Sequence, residues 1–443
     1  DRSQTYLTLA QVQFAARQLG VAEESFKKAA QLDPKSVPTL VAFASFYQQQ
    51  KRWPDAEKLI RQAIVVEPKN RNIRIELARL YLAQNQQALA EQVIMEAKSA
   101  LSEEPEGYRM LGDFYFNTGE VDKGLAEYES LLRQHSDDLP AKKNYIQLLI
   151  IRNRLDEATK LNGEILKANA KDTEALVFQG QILNRRGQPA EAIRSLEAAL
   201  KGDASSASGH FHLGNALRAT GNTGQAIREW REAIRLRPQM TEALRALAET
   251  AQRTGDVASL NESAEALSRA NPSSAEGYIL RGTAELAKKD GARAEVDFRK
   301  AIELAPQSPV AYSGLAAVKV AQGRFAEAEK LCEQALDRDP NYAEALQGLI
   351  GLYTRQNQPA KVLARVQTQI AKAPNNSRYY YLLGSLEASN KNLDKAEAAL
   401  QNAVDLDKNN SDAFLLLGQL QAVRGSPAKA IAMNEQFVQS HPK

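Results

Sequence analysis

Apolar residues recur along this chain at steps of three and four, and the whole pattern returns every 34 residues. With Ser3 as position 1, positions 4, 7, 8 and 11 and then 20, 24, 27 and 28 are mostly apolar in each period. Such steps put side chains on one face of a helix. Each period therefore predicts two amphipathic helices of about 13 residues, roughly 20 Å long. Position 7 is usually Leu, as at Leu9, Leu77, Leu213 and Leu315, and position 24 is commonly large, as at Phe26, Tyr128, Leu196, Trp230 and Phe298. Position 8 runs Ala10, Ala44, Ala78, Gly112, Ile146, Gly180, Gly214, Ala248, Gly282, Ala316, Ile350, Gly384, Gly418, and eleven of these thirteen are Ala or Gly. Position 20 is Ala throughout except at Gly124, Leu260 and Val362. A small side chain lets a neighbouring helix come within about 8–10 Å, so positions 8 and 20 mark where paired helices touch.

The turns agree with this reading. Position 15 is often Gly or Asn (Gly119, Asn153, Gly187, Gly221), which suits the left-handed residue that ends a helix. Pro189, Pro359 and Pro427 at position 17 suit the first turn of the second helix, where no backbone donor is needed. Position 32 is Pro in eight periods, from Pro34 to Pro442, and stops that helix. Thirteen periods need 442 residues and 441 run from Ser3 to the end, so the register holds without insertion.

A 34-residue helix–turn–helix period is the signature of stacked repeats. The chain resembles the tetratricopeptide repeat family from Ser3 to its end. Pro309 to Tyr342 is representative, with Tyr312, Leu315, Ala316, Gly323, Ala328, Ala335 and Pro340 at the family's positions. The resemblance implies an all-α fold, a right-handed superhelical solenoid of about 13 helix–turn–helix repeats whose first helices line a concave groove. Each repeat buries its apolar face only against neighbours. Residues 1–443 are thus expected to form one array, with repeats starting near 3, 37, 71, 105, 139, 173, 207, 241, 275, 309, 343, 377 and 411. The fifth repeat departs most, with Lys142, Ile146 and Asn162 at positions 4, 8 and 24, and is expected to be a softer joint over 139–172.

Composition narrows function mainly by exclusion. The 57 basic and 54 acidic residues nearly cancel, which disfavours nucleic acid as a partner, since that needs a clustered basic excess. No apolar run is long enough to span a membrane. The one cysteine, Cys332, falls at core position 24 and reads as a small buried hydrophobe. His210 and His212, two residues apart on a helix, point about 200° apart and cannot share one metal ion. His135 and His441 are isolated in the sequence. No nucleophile–base order, phosphate-cradling glycine loop or metal-binding helix motif is present. The expectation is a non-enzyme with no cofactor. The chain begins at Asp1 without Met and stops at a repeat boundary, which suggests a piece of a longer protein.

By resemblance, positions 2, 5, 9, 12 and 13 face the groove. Co-chaperone members of the family clamp a terminal carboxylate with Lys at position 5 and Asn at position 9; here Lys143 meets Gln147 and Phe211 meets Asn215, so neither pair fits. The asparagine ladder of the glycosyltransferase-associated branch, at position 6, is present only at Asn144. Repeats five to eight hold 19 basic and 15 acidic residues. Arg185, Arg218, Arg245 and Arg253 occupy groove positions there beside Phe211 and Asn215, a combination suited to an acidic or carboxylate-bearing peptide. Toward the end the groove positions turn apolar (Val310, Val320, Leu415, Val423), as a stripe for an amphipathic segment would. Within the run Tyr379–Tyr381, Tyr380 falls at core position 4, leaving Tyr381, and secondarily Tyr379, for a partner.

These readings converge on a scaffold that binds other proteins or peptides in its groove. Its Ala/Gln/Leu-rich style is similar to arrays of bacterial cell-envelope export and assembly systems, which favours the periplasm. The alternative is the substrate-recruiting arm of a larger enzyme such as a glycosyltransferase, with the catalytic domain outside this chain.

Overall fold

The computed structural model describes residues 2–440; His441 and the position-32 residue Pro442 lie outside them. Every regular element among the described residues is an α-helix. Each repeat contributes a first and a second helix, as in Val37–Gln49 followed by Trp53–Val66. The chain divides into two compact units, Asp1–Thr223 and Gly224–Lys443.

Local chemistry fixes the helix ends. Many first helices start at a polar cap in the last position of the preceding repeat: Asp138 accepts from the Ala141 N–H at 2.9 Å, and Asp172 from that of Ala175 at 2.9 Å. Such caps contribute about 1 kcal/mol each. They end at position 15, which has positive φ in all thirteen repeats. Six of these residues are Gly and three are Asn, but Arg17, Lys51, Lys289 and Lys391 adopt the same left-handed geometry, with φ near 60°. The turn is therefore dictated by the helix pair, and the side chain conforms to it.

Packing within a repeat rests on complementary size. Position 8 receives the position-24 side chain: a Cβ added at Gly180 would lie 2.3 Å from Leu196 Cγ, and at Gly384 2.6 Å from Leu400 Cγ. In repeat five the sizes are exchanged, with buried Ile146 at position 8 and buried Asn162 at position 24. Asn162 donates to the Ala175 carbonyl at 2.9 Å, and Lys142 pairs with Glu164 at 3.5 Å. The exchanged sizes keep this core closed, with Asn162 Oδ1 left without a hydrogen-bond partner among the described residues.

The visible break lies one repeat earlier. Leu101, buried at a position where most repeats carry a polar residue, presses on the next first helix. That helix is split into Pro105–Tyr108 and Met110–Thr118. It passes so close that a Cβ at Gly107 would meet the Leu101 carbonyl oxygen at 2.0 Å, so only glycine fits.

Repeats are joined by a recurring polar rung. The side chain at position 11 bonds the position-21 carboxylate of the preceding repeat: Tyr47–Glu23 at 3.1 Å, Tyr81–Glu57 at 2.6 Å, Tyr115–Glu91 at 2.6 Å, Tyr353–Glu329 at 2.7 Å. Lys319–Glu295 and Gln421–Glu397, both 2.6 Å, are variants of it. Between repeats four and eight both places turn apolar or small, as at Leu149 and Leu125 or Leu217 and Ile193. Burial with a carboxylate partner pushes the Tyr47 hydroxyl up to about 12, so the rung stays protonated on its tyrosine side.

Candidate partner-binding surface

Within each unit, first helices such as Val37–Gln49 and Pro309–Ala321 pack between their own second helix and that of the preceding repeat, and in several junctions a first helix also touches the next one, as in repeats 4–5, 5–6 and 6–7 of one unit and 9–10, 10–11 and 12–13 of the other. Successive second helices are held further apart. Within each unit the first helices thus form a shared wall, and the sequence-predicted positions lie on it.

In Asp1–Thr223, Arg185 ends the helix Thr173–Arg185, is exposed, and makes no ion pair among the described residues. Its positive charge adds to burial in depressing His212 to about 4, so His212 is neutral at pH 7. Asn184 donates to the His212 carbonyl at 3.0 Å, which fixes the two helices against each other. The Phe211 ring lies 5.0 Å from that of His212, tilted by 56°. Arg185, Phe211 and His212 are thereby brought together. Half-buried Asn215 and exposed Arg218 follow Phe211 at steps of four and three on the helix Ala207–Ala219. His210 is half-buried and its Nε2 lies 3.1 Å from the Ala204 carbonyl oxygen, so it caps a turn. Lys143 is held by Asp172 at 3.0 Å and Glu174 at 2.9 Å, which leaves it unsuited to clamp a ligand carboxylate.

A cleft of about 440 Å³ opens on this wall where the first helix of repeat four is broken. Ile75, Leu82, Met110 and Phe114 line it, with Arg71 and Arg79 at the rim. Sequence reasoning missed these residues. Gly107, a poor helix former inside a first helix, was the available signal.

In Gly224–Lys443 the predicted residues fare unequally. Arg245 places both arms of its guanidinium on Glu276, at 2.6 and 2.8 Å, so its fork is already satisfied. Arg253 is exposed and makes no ion pair among the described residues. Tyr381 is half-buried and lines a polar cleft of about 760 Å³ with Asn341, Arg378, Asn410 and Asp412. Tyr379 is a correction to the sequence reading: it is fully buried, its hydroxyl donating to the Pro340 carbonyl at 2.8 Å, because this turn of helix faces the preceding repeat. Three of the four apolar positions stay open, Val310 at 41% exposed, Leu415 at 54% and Val423 at 76%, whereas Val320 is half-buried against the core.

Cys332 is buried and its thiol is pushed up to about 12 by burial, which removes thiolate character at neutral pH. Among the described residues no cluster of three His, Cys, Asp or Glu side chains could hold a metal ion. No helix among the described residues is long and apolar enough to cross a membrane.

Models of the tetratricopeptide repeat match residues 3–36, 41–105, 152–208, 211–259, 285–332, 319–386 and 381–443, more than half of the chain. Solved structures with a similar fold include a tetratricopeptide repeat protein from Parabacteroides merdae, 20% identical, covering 56% of this chain and 98% of that one, with a TM-score of 0.44. Cut9, from the Cut9–Hcn1 hetero-tetramer of the APC/C, is 12% identical, covering 95% and 96%, with a TM-score of 0.37. Yeast Tom70 is 13% identical, covering 99% and 97%, with a TM-score of 0.45. No curated protein matches the sequence.

Proposed function

The chain belongs to the tetratricopeptide repeat family, and from that premise we propose that residues 1–443 act as one non-catalytic scaffold holding protein segments along the wall of first helices. The observation that carries this reading is the set of wall side chains left without internal work: Val310, Leu415 and Val423 remain exposed, and Arg253 is unpaired among the described residues. Large apolar side chains on an exposed face lose hydration cost only when something covers them. An extended or helical segment presenting apolar residues near the last repeats, with acidic residues toward the middle of the chain, matches that distribution. Arg185, whose charge acts on His212, and Phe211, whose ring lies against His212, supply a second anchor.

The test is affinity capture with the intact chain, followed by identification of the bound segment and titration of that segment as a peptide. Leu415→Asp with Val423→Asp should weaken the peptide at least tenfold, and Arg253→Glu should weaken an acidic peptide severalfold. A charge change on a second helix, Lys330→Glu, should leave both unchanged. Equal affinity of the first-helix variants and the wild type would remove the wall as the binding surface.

A further inference from the structure

Repeat eight fills its frame in reverse. Positions 20, 24, 27 and 28 are usually small, large, small and large, but here they are Leu260, Ala264, Leu267 and Ser268. The exchange keeps the core closed, since Leu260, Ala264 and Leu267 are all buried. A space of about 540 Å³ lies between the second helix of repeat seven and both helices of repeat eight. Leu244, Leu247, Ile234 and Ala266 form its apolar lining. Ser263 lies in its wall, fully buried, with an Oγ that has no hydrogen-bond partner among the described residues.

Three guanidinium groups, Arg231, Arg235 and Arg269, stand around the space against one carboxylate, Glu262. Arg231 donates to Ser259 Oγ at 2.8 Å, and Arg235 pairs with Glu232 at 2.6 Å. Arg269 is exposed and makes no ion pair among the described residues. Protein interiors are ordinarily close-packed, and a buried hydroxyl without a partner costs about 1–3 kcal/mol. Both departures fall in one place, within the size range of small-molecule sites.

The geometry points to a binding site for a small amphipathic carboxylate, an apolar chain of medium length whose head group meets Arg269 and Arg231. Leu244, Leu247 and Ile234 cover the chain, while Ser263 donates to a polar atom of the bound molecule. The arginines give the head group a charge-assisted, forked partner. Leu244 and Leu247 reach this site from core positions 4 and 7 of a first helix and no groove position lines it, so it stands or falls independently of the first-helix wall.

Isothermal titration of the full chain with decanoate, decanol and a short peptide ending in Leu-Leu tests the assignment. Decanoate should bind with one site per chain, at least tenfold tighter than decanol. Ser263→Leu, which fills the space, should abolish binding while circular dichroism stays unchanged. Arg269→Gln should weaken decanoate fivefold or more and leave decanol unaffected. Equal binding of decanoate and decanol, retention by Ser263→Leu, no binding at millimolar decanoate, or tighter binding of the peptide than of decanoate would each overturn it. Should Ser263→Leu disturb the fold, Ala266→Leu occupies the same space from the neighbouring turn and carries the same expectation.

Discussion

Repeats eight and ten share a frame and solve its packing in different ways. In repeat ten the second helix offers Ala328, Cys332, Ala335 and Leu336, all buried, and Gly348 of the next repeat closes on Cys332, a Cβ there lying 3.0 Å from the sulfur. In repeat eight the corresponding residues are Leu260, Ala264, Leu267 and Ser268. Polar chemistry differs as well. Repeat ten buries Lys319, but gives it Glu295 at 2.6 Å and Gln322 at 3.3 Å. Repeat eight buries Thr250 and Ser263, with neither hydroxyl oxygen hydrogen-bonded among the described residues. One repeat spends its polar groups on holding the array together. The other keeps them available, beside an unfilled space.

The largest effect expected from breaking this contrast is in the buried ion pair. Glu295→Gln removes the countercharge of a fully buried ammonium and should cost about 3–5 kcal/mol, read from denaturant unfolding. The pH dependence follows from the same group. Lys319 and Arg299 hold the Glu295 carboxyl at about 2, against an ordinary value of 4.5. A depressed carboxylate stabilises the fold fully above its unfolded value and loses that contribution as pH falls through the folded one. Wild-type stability should therefore drop more steeply than the variant's between pH 4.5 and 2.

Next in size is the exchange at position 20. Leu260→Ala should cost about 3 kcal/mol through an added cavity. The reverse change in repeat ten, Ala328→Leu, should cost about 2 kcal/mol through overpacking. Thermal unfolding of both variants decides whether the two repeats really hold opposite patterns. A smaller loss, about 1.5 kcal/mol, is expected for Tyr353→Phe, which deletes the rung to Glu329. The smallest effect is a gain. Lys289→Gly, at a φ of 64°, should stabilise by about 0.5–1 kcal/mol, since left-handed geometry penalises a residue with a Cβ.

The period, the helix pairs and the contact positions were legible because each is a local rule repeated thirteen times. Ala and Gly at position 8 declared close approach, and the structure puts Leu196 against Gly180 as that requires. What was not legible depends on partners far apart in sequence. Arg245 reads as an exposed groove arginine until Glu276, 31 residues on, closes on it. Tyr379 reads as a second candidate after Tyr381 until the Pro340 carbonyl claims it. Left-handed turns at Arg17 and Lys391 carry no residue signal at all. The repeat-eight inversion was present in the letters, but the space beside it is set by residues of the neighbouring helix, Ile234 and Arg235 among them.

Tyrosine–carboxylate rungs have a mechanical consequence. A chain of repeats drawn out by its termini transmits tension through each junction in series. Short directional bonds such as Tyr81–Glu57 give way over a fraction of an ångström, whereas apolar contacts such as those around Leu149 yield gradually. Under a stretching force, the junctions that carry rungs should rupture abruptly and those of the middle repeats should creep, so the array behaves as a graded spring.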